Sequence, residues 1–265
     1  QELLTRPELV HAIELHRKYQ FAFDVIWSQT LAEAHAKGIQ IIGDMPMFVS
    51  EDSADVWAHP ELFSLDATGH TELQAGAPAD AFSQDGQLWG NPTYNWQAHK
   101  DEEYCWWIER FRRSFYLYDY TRLDHFIGFT SYYAIEQGKT ATRGSFKFGP
   151  GYELFDVAYK QLGPLPFIAE DLGAVTPAVR ALLSQTGFPG MSVIQFADGD
   201  CRYSFAPAQE SIVYSGTHDT QTLMGFVEDR FTSGQATDES QQIFNHLMEQ
   251  VVDTSNAVVI LPLQD

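Results

Sequence analysis

Short apolar runs alternate with amphipathic helical patterns along this chain. Apolar runs bounded by turn residues predict strands at residues 39–44, 120–124, 166–170, 191–196, 211–217 and 257–261. Apolar residues spaced three and four apart predict helices at 7–19, 29–37, 105–118 and 243–251, and Thr176 followed by Pro177 predicts the start of another. Because helices and strands alternate, we predict an α/β fold with a parallel sheet.

Four of the predicted strands end in a carboxylate or have one directly beyond them, namely Asp44, Asp124, Glu170 and Asp219. Apolar strands alone are compatible with an open doubly wound sheet and with a closed barrel. Catalytic residues from several strands collect at the C-terminal face of a (β/α)8 (TIM) barrel, so the strand-end carboxylates favour the barrel. No Gly-x-Gly-x-x-Gly turn follows any predicted strand, which removes the main indication of a dinucleotide-binding fold.

Residues 45–100 lack a clear period and are rich in Trp, Asp, Gly and Pro. This stretch is too long for an ordinary loop of an α/β unit, and loops of such length in compact domains are usually functional. We predict that it lies over the catalytic face and carries Trp57, Asp80, Gln87, Trp89, Asn91 and Tyr94 with it.

The charge balance narrows the range of partners. The chain has 265 residues with 36 acidic and 16 basic side chains, a formal charge of −20. Such a surface repels phosphates, so nucleic acids and anionic membranes are disfavoured and a neutral substrate fits better. No apolar stretch approaches the ~20 residues needed to cross a bilayer. The 2 cysteines cannot form a disulfide framework, which favours a soluble protein of the cytoplasm.

Two of the carboxylates have the spacing that glycoside chemistry requires. Neighbouring strands lie ~4.8 Å apart, so Asp124 and Glu170 at the ends of consecutive strands can approach each other. Retaining glycosidases hold nucleophile and acid/base ~5 to 5.5 Å apart. Arg122 shares a strand face with Asp124 and can keep it ionised as the nucleophile, which leaves Glu170 as the proton donor.

The remaining polar residues have a structural alternative beside the functional one. Asp219 can accept hydrogen bonds from sugar hydroxyls, with His125 and His218 as neutral donors nearby. A strand-end carboxylate is also a common helix N-cap, and a histidine beside an aspartate is often a satisfied buried pair. Asp171, next to Glu170, is interpreted as a solvated side chain.

Four motifs carry a resemblance to a known family. GDMP (43–46), RLDHF (122–126), AEDLG (169–173) and GTHD (216–219) resemble the signature regions of the 4-α-glucanotransferases. These amylomaltases or disproportionating enzymes form glycoside hydrolase family 77, related to the α-amylases. EDSADVW (51–57), AGAPAD (75–80) and LWGNP (88–92) resemble the family's loop over the active site, and PGM (189–191) and LPLQD (261–265) its later strands. The likeness covers nearly the whole chain in order.

The resemblance implies roles for individual residues. Asp124 would be the nucleophile, Glu170 the general acid/base and Asp219 the transition-state stabiliser. Substrate-binding or supporting positions would be Asp44, Asp80, Gln87, Trp89, Asn91, Arg122, His125 and His218.

The implied reaction transfers α-1,4-glucan segments between malto-oligosaccharides with retention of configuration. Malto-oligosaccharides and fragments of starch or glycogen would be the partners. No metal or cofactor is expected, because the carboxylates supply acid, base and nucleophile. Two alternatives remain open: a retaining α-glucan hydrolase of the α-amylase type, and a truncated inactive glucan-binding fragment.

A complete member of the family would have two barrel strands before this sequence and a closing helix after it. The resemblance therefore predicts that residues 1–265 form a single catalytic barrel segment, with strands three to eight of an incomplete barrel. Residues 45–100 would be a loop subdomain inserted after strand three. The N-terminal and C-terminal parts of the full enzyme are expected to be absent from this segment.

Overall fold

The computed structural model describes residues 6–79, 84–197, 199–203, 205–256 and 258–265. Its helices are α1 (Pro7–Ala36), α2 (Ala54–Ala58), α3 (Trp96–Asp101), α4 (Cys105–Leu117), α5 (Tyr152–Leu162), α6 (Pro177–Thr186), α7 (Leu223–Phe231) and α8 (Asp238–Val252). Its strands are β1 (Ile42–Met45), β2 (Leu73–Ala77), β3 (Gln87–Pro92), β4 (Tyr120–Leu123), β5 (Ser131–Glu136), β6 (Ser145–Phe148), β7 (Phe167–Ala169), β8 (Met191–Val193), β9 (Ile212–Tyr214) and β10 (Val259–Ile260). The α/β prediction is confirmed.

Six of these strands are parallel and form two sheets. The first has the order β1-β4-β7 and the second the order β10-β9-β8. The backbone N–H of Ala169 in β7 donates to the carbonyl of Pro189 just before β8, at 2.9 Å. The side chain of Ile168 is buried in a cluster with Met191 and Ile212 of the second sheet. The end of β7 therefore lies beside the start of β8.

The stretch 45–100 contains regular structure that its sequence did not indicate. Strands β2 and β3 pair with β5 and β6, which follow β4 in the chain, in an antiparallel sheet of order β3-β2-β5-β6. The sequence LQAGA has a single polar side chain among small and apolar residues, and QLWGNP has no regular alternation of polar and apolar residues. Gly76 has no room for a side chain, because a Cβ there would lie 2.1 Å from the Gln87 carbonyl oxygen of the paired strand. Close backbone pairing, rather than side-chain pattern, specifies this sheet.

Several predicted elements were wrong in detail, and the structure gives a physical reason for three of these differences. Residues 7–36 form one helix instead of two, since no Pro or Gly interrupts 20–28 and the Trp27 indole N–H donates to the Leu117 carbonyl at 2.8 Å. Strand β1 begins at Ile42, later than predicted, because the Ile39 amide closes the end of α1 by donating to the Ala34 carbonyl. Strand β8 ends at Val193, where a 3-10 turn begins.

The predicted start of a helix at Thr176 and Pro177 is confirmed. The Thr176 hydroxyl accepts a hydrogen bond from the Val179 amide and caps α6, which begins at Pro177. Gly38 has φ of +71° after the end of α1, the left-handed geometry that favours glycine.

The main core is aromatic and lies between the first parallel sheet, the antiparallel sheet and the helices that follow them. Its largest fully buried side chains include Trp107, Phe111, Phe126, Phe129 and Phe155. Phe126 and Phe129 belong to the turn directly after β4, so the core fixes the segment that follows Asp124. A helix able to cross a membrane is not found among the described residues.

Candidate active site

The carboxyl ends of β1, β4 and β7 bring three predicted site residues to one edge of the sheet. Asp44 is paired with Arg122 in the register of β1 and β4, and Leu123 with Ala169 in that of β4 and β7. Asp124 and Glu170 are the next residues after these partners, so both leave the sheet at the same end.

Arg122 is the centre of the charged groups at this edge. Its Nη1 atom lies 2.8 Å from Asp44 Oδ2 and 3.0 Å from Asp124 Oδ1, and its Nη2 atom lies 3.7 Å from Asp219 Oδ2. The arginine side chain is 9% exposed. Burial by itself lowers the pKa of Arg122, but the carboxylates of Asp44, Asp124 and Glu170 outweigh it and raise the pKa above its ordinary value. The guanidinium therefore stays charged and partly neutralises the carboxylates around it.

Glu170 is held by backbone amides from two turns. Its Oε2 atom accepts a hydrogen bond from the His125 N–H at 2.7 Å, and its Oε1 atom accepts one from the Leu172 N–H at 2.9 Å. The residue is 8% exposed. Burial raises the pKa of Glu170 to about 7, although the two amides and Arg122 oppose that shift. At neutral pH this carboxyl can therefore either give or take a proton.

The pKa of Asp124 is also raised, mainly by burial, and the carboxylates of Asp44 and Asp219 act in the same direction. The Arg122 guanidinium opposes this shift by its charge and its hydrogen bond. Arg122 thus favours the ionised form of Asp124, as a nucleophile needs, while the other groups disfavour it.

Asp219 and His218 reach this edge from the turn that follows β9. His218 Nε2 lies 3.4 Å from Asp219 Oδ2 and 3.7 Å from Asp44 Oδ2. The Asp219 side chain is 64% exposed, far more than that of Asp124. A ligand that enters from solvent can therefore reach Asp219.

A cleft of about 1150 Å³ opens over these groups. It is lined by Arg122, Asp124, Glu170 and Asp219, and by three residues of β3, which are Gln87, Trp89 and Asn91. The antiparallel sheet therefore supplies one wall of the cleft.

An aromatic group forms part of that wall. The Trp89 ring meets the His125 ring edge-on at 5.0 Å, and Phe48 packs against both. The Trp89 indole N–H donates to Gln87 Oε1 at 2.9 Å, which orients the ring. Burial lowers the pKa of His125 to about 4, so its imidazole is neutral at pH 7.

Within the described ranges, no group of three or more His, Cys, Asp or Glu side chains is arranged to hold a metal ion. The carboxylates of Asp44, Asp124, Glu170 and Asp219 instead lie around the guanidinium of Arg122. Chemically, carboxyl groups next to a fixed positive charge can act as acid, base and nucleophile.

A model of the 4-alpha-glucanotransferase family matches residues 4–265. The chain belongs to this family. A 4-alpha-glucanotransferase of Streptococcus pneumoniae is 47% identical over 227 residues, which cover 83% of this chain and 45% of the relative. A 4-alpha-glucanotransferase of Synechocystis is 42% identical over 270 residues, which cover 94% of this chain and 52% of the relative. The amylomaltase from Streptococcus agalactiae in complex with acarbose matches with a TM-score of 0.87 at 38% identity, over 98% of this chain and 55% of that chain.

The chain thus spans about half the length of the curated 4-alpha-glucanotransferases that it matches. The resemblance of its four motifs to that family is confirmed.

Two residues of the stretch 45–100 that were expected over the catalytic face do not line the cleft. Trp57 is 74% exposed on α2 and is not among the residues that line the cleft. Tyr94 is buried in the core, where its hydroxyl donates to the Met47 carbonyl. Both were expected on the catalytic face because the stretch 45–100 follows the strand that ends at Asp44, but packing in the core determines the place of Tyr94. Asp80 lies outside the described residues.

The structure also brings residues to the cleft that the sequence analysis did not select. Gln195 and Phe196 line it from the 3-10 turn after β8. The apolar run 191–196 hid this turn, although a polar Gln near the end of a buried strand was a signal. Asp171 also lines the cleft. It was expected to be a solvated side chain, but its carboxylate accepts a hydrogen bond from the Met191 N–H.

Proposed function

We propose that the protein containing this chain is a 4-α-glucanotransferase, which transfers α-1,4-glucan segments between malto-oligosaccharides by a retaining double displacement. The observation that carries this proposal is the convergence of Asp124, Glu170 and Asp219 in one cleft beside Arg122. Membership in the 4-alpha-glucanotransferase family supports it independently.

In the first step, the Asp124 carboxylate attacks the anomeric carbon of the donor glucan. The bond from that carbon to the leaving oxygen breaks, and Glu170 gives its proton to the leaving oxygen. The product is a glucosyl ester on Asp124 and an ionised Glu170. A pKa of about 7 lets Glu170 hold the required proton near neutral pH.

In the second step, the 4-hydroxyl of another glucan attacks the same carbon. Glu170 takes the proton of that hydroxyl as the ester bond to Asp124 breaks. Two inversions at one carbon give net retention. Asp219 accepts hydrogen bonds from sugar hydroxyls, and we assign to Arg122 and Asp44 the support of the Asp124 carboxylate. His218, His125, Gln87, Trp89 and Asn91 complete the proposed substrate contacts, with Asp80 carried over from the family motif alone.

The finer architecture proposed is an incomplete (β/α)8 (TIM) barrel, with the six parallel strands as strands three to eight. The hydrogen bond between Ala169 and Pro189 supports the continuous order β1-β4-β7-β8-β9-β10. In a flat sheet of that order, β4 and β9 would be about 14 Å apart, three strand spacings. Arg122 at β4 nevertheless lies 3.7 Å from Asp219 beyond β9, which supports strong curvature. Residues 1–265 would then be one catalytic segment with 45–100 as its inserted subdomain.

The proposed substrates are malto-oligosaccharides and fragments of starch or glycogen. A neutral glucan suits a chain with a formal charge of −20, whereas a nucleic acid would be repelled. Acarbose is bound by the Streptococcus agalactiae relative, and we extend carbohydrate binding to this cleft. A cytoplasmic location remains a prediction.

The decisive experiment is mass spectrometry of the full-length protein after reaction with a fluorinated glucosyl donor that traps the covalent intermediate. A glucosyl label on Asp124 is expected in the wild-type protein and in a Glu153→Gln control. In the wild-type protein, Glu153 forms a surface ion pair with Lys100. No label is expected in Asp124→Asn. A label on another carboxylate would overturn the assignment.

Product analysis on maltotriose separates transfer from the alternatives. Glucose with longer oligosaccharides is the expected outcome. Release of reducing ends in step with bond cleavage would indicate the hydrolase. Binding without any turnover, unchanged in Asp124→Asn, would indicate the inactive glucan-binding protein.

A further inference from the structure

Asp171 connects the end of β7 to the start of β8. Its Oδ1 atom accepts a hydrogen bond from the Met191 N–H at 2.7 Å. Burial raises the pKa of Asp171, while that hydrogen bond opposes the shift. The side chain therefore spans from the residue after Glu170 to the first residue of the neighbouring strand.

The space around this carboxylate is closed on the side of β8. A Cβ atom on Gly190 would lie 2.6 Å from Asp171 Oδ2, well inside van der Waals contact. Gly190 thus lets the Asp171 carboxylate approach the backbone closely. Any larger residue would have to displace it.

The backbone that Asp171 anchors is the same backbone that holds the Glu170 carboxyl. Leu172, the next residue, donates its N–H to Glu170 Oε1 at 2.9 Å. Gly173 follows with φ of +92°, so the chain turns sharply at once. The position of the Leu172 amide consequently depends on how the turn 170–173 is fixed, and Asp171 is its side-chain connection to β8.

We propose that Asp171 is a positioning residue for Glu170: by bonding the Met191 amide it fixes the turn that aims the Leu172 N–H at Glu170 Oε1. The proposal rests on the proposed function only in naming Glu170 as acid/base. The hydrogen bonds from Met191 to Asp171 and from Leu172 to Glu170 do not depend on that role.

The groups that face Glu170 determine how a change at Asp171 would shift the pKa of Glu170. Arg122 and Asp124 face it from the end of β4, and the amides of His125 and Leu172 bond its two oxygens. The Leu172 amide favours the ionised carboxylate. Loss of that contact therefore raises the pKa of Glu170, whereas loss of a neighbouring negative charge would lower it.

Two substitutions at Asp171 separate these effects. Asp171→Asn and Asp171→Ala both remove the charge, but only asparagine keeps a side-chain oxygen for the Met191 amide. The pKa of Glu170 is expected to be higher in Asp171→Ala than in Asp171→Asn by about 0.5 to 1 unit, the effect of weakening one hydrogen bond to a charged group. Gly190→Ala keeps the charge and displaces the carboxylate, so it should raise the pKa of Glu170 above the wild-type value.

The measurement is a 13C NMR titration of glutamate side-chain carboxyls in the full-length protein, with the Glu170 signal assigned by its loss in Glu170→Gln. The high-pH limb of kcat/KM for maltotriose transfer should move by the same amount. Asp156→Ala, which removes a surface ion pair with Lys160, is the control and should leave both unchanged.

Equal pKa values of Glu170 in Asp171→Asn and Asp171→Ala would overturn the positioning role, even if both variants were less stable. A wild-type protein without transferase activity would instead overturn the proposed function. In that case the NMR titration still decides whether Asp171 positions Glu170.

Discussion

Replacing Glu170 by glutamine is expected to change how the stability of the protein depends on pH. In the folded protein, burial raises the pKa of Glu170 from 4.5 to about 7. The folded state therefore binds a proton that the unfolded state releases between these two values. The free energy of unfolding of the wild-type protein consequently falls as the pH rises through this interval.

The magnitude follows from the size of the shift. Each pKa unit corresponds to ~1.4 kcal/mol, so the shift of Glu170 corresponds to about 3 kcal/mol of unfolding free energy. This contribution is fully present below pH 4.5 and is lost as the pH rises through about 7. Glutamine does not titrate, so the variant lacks this loss.

The change with pH is the diagnostic quantity, not the absolute stability. Both oxygens of Glu170 accept backbone N–H groups, from His125 and Leu172. The amide NH2 of glutamine would face one of these donors, which costs about 1 to 3 kcal/mol at every pH. Relative to wild type, Glu170→Gln should gain about 3 kcal/mol between pH 4.5 and pH 8.

The assay is urea unfolding of the full-length protein, followed by the fluorescence of its buried tryptophans, at several pH values from 4.5 to 8. Glu136→Gln, at an exposed position on β5, is the matched control and should show a flat difference. A Glu170→Gln difference that is equally flat would refute the reasoning, because the carboxyl would then have its ordinary pKa.

Three further changes test packing, charge and solvent exclusion. Gly43→Ala should lower the unfolding free energy by about 1 to 3 kcal/mol in urea titrations, because its Cβ would lie 2.1 Å from the Tyr118 ring. Arg122→Lys should reduce kcat for transfer about tenfold or more, because lysine lacks the planar guanidinium whose Nη1 atom bonds Asp44 and lies 3.0 Å from Asp124 while its Nη2 atom faces Asp219. Trp89→Ala should raise the ratio of hydrolysis to transfer in maltotriose product analysis, because water gains access to the cleft it lines.

Each of these expectations has an opposing outcome. Wild-type stability of Gly43→Ala would mean that Tyr118 rotates away at little cost. Unchanged kcat in Arg122→Lys would show that only the charge at this position matters. An unaltered product ratio in Trp89→Ala would remove this ring from acceptor selection and leave it a packing role.

The sequence by itself determined the parallel strands and the end at which their carboxylates emerge. Apolar strands followed directly by Asp or Glu leave little freedom, because the chain must turn where the buried strand stops. Arg122 and Asp124 share one face because side chains alternate along a strand, and the structure has the two in contact at 3.0 Å. The motifs also carried the family resemblance.

Only the tertiary structure decided which groups surround each carboxylate. The amide of Leu172 lies two residues from Glu170, but that of His125 comes from another strand end, 45 residues away. The raised pKa of Glu170 depends first on burial, which the sum of packing around the site creates. No local pattern at AEDLG encodes that burial.

The same reason explains the antiparallel sheet and the role of Asp171. Strand β2 pairs with β3 on one side and on the other with β5, which follows β2 by more than fifty residues along the chain. Asp171 looked like a surface carboxylate until the Met191 amide was brought beside it. Local sequence specifies an element through spacing and turn residues, whereas burial, pairing and hydrogen-bond partners arise only when distant segments pack together.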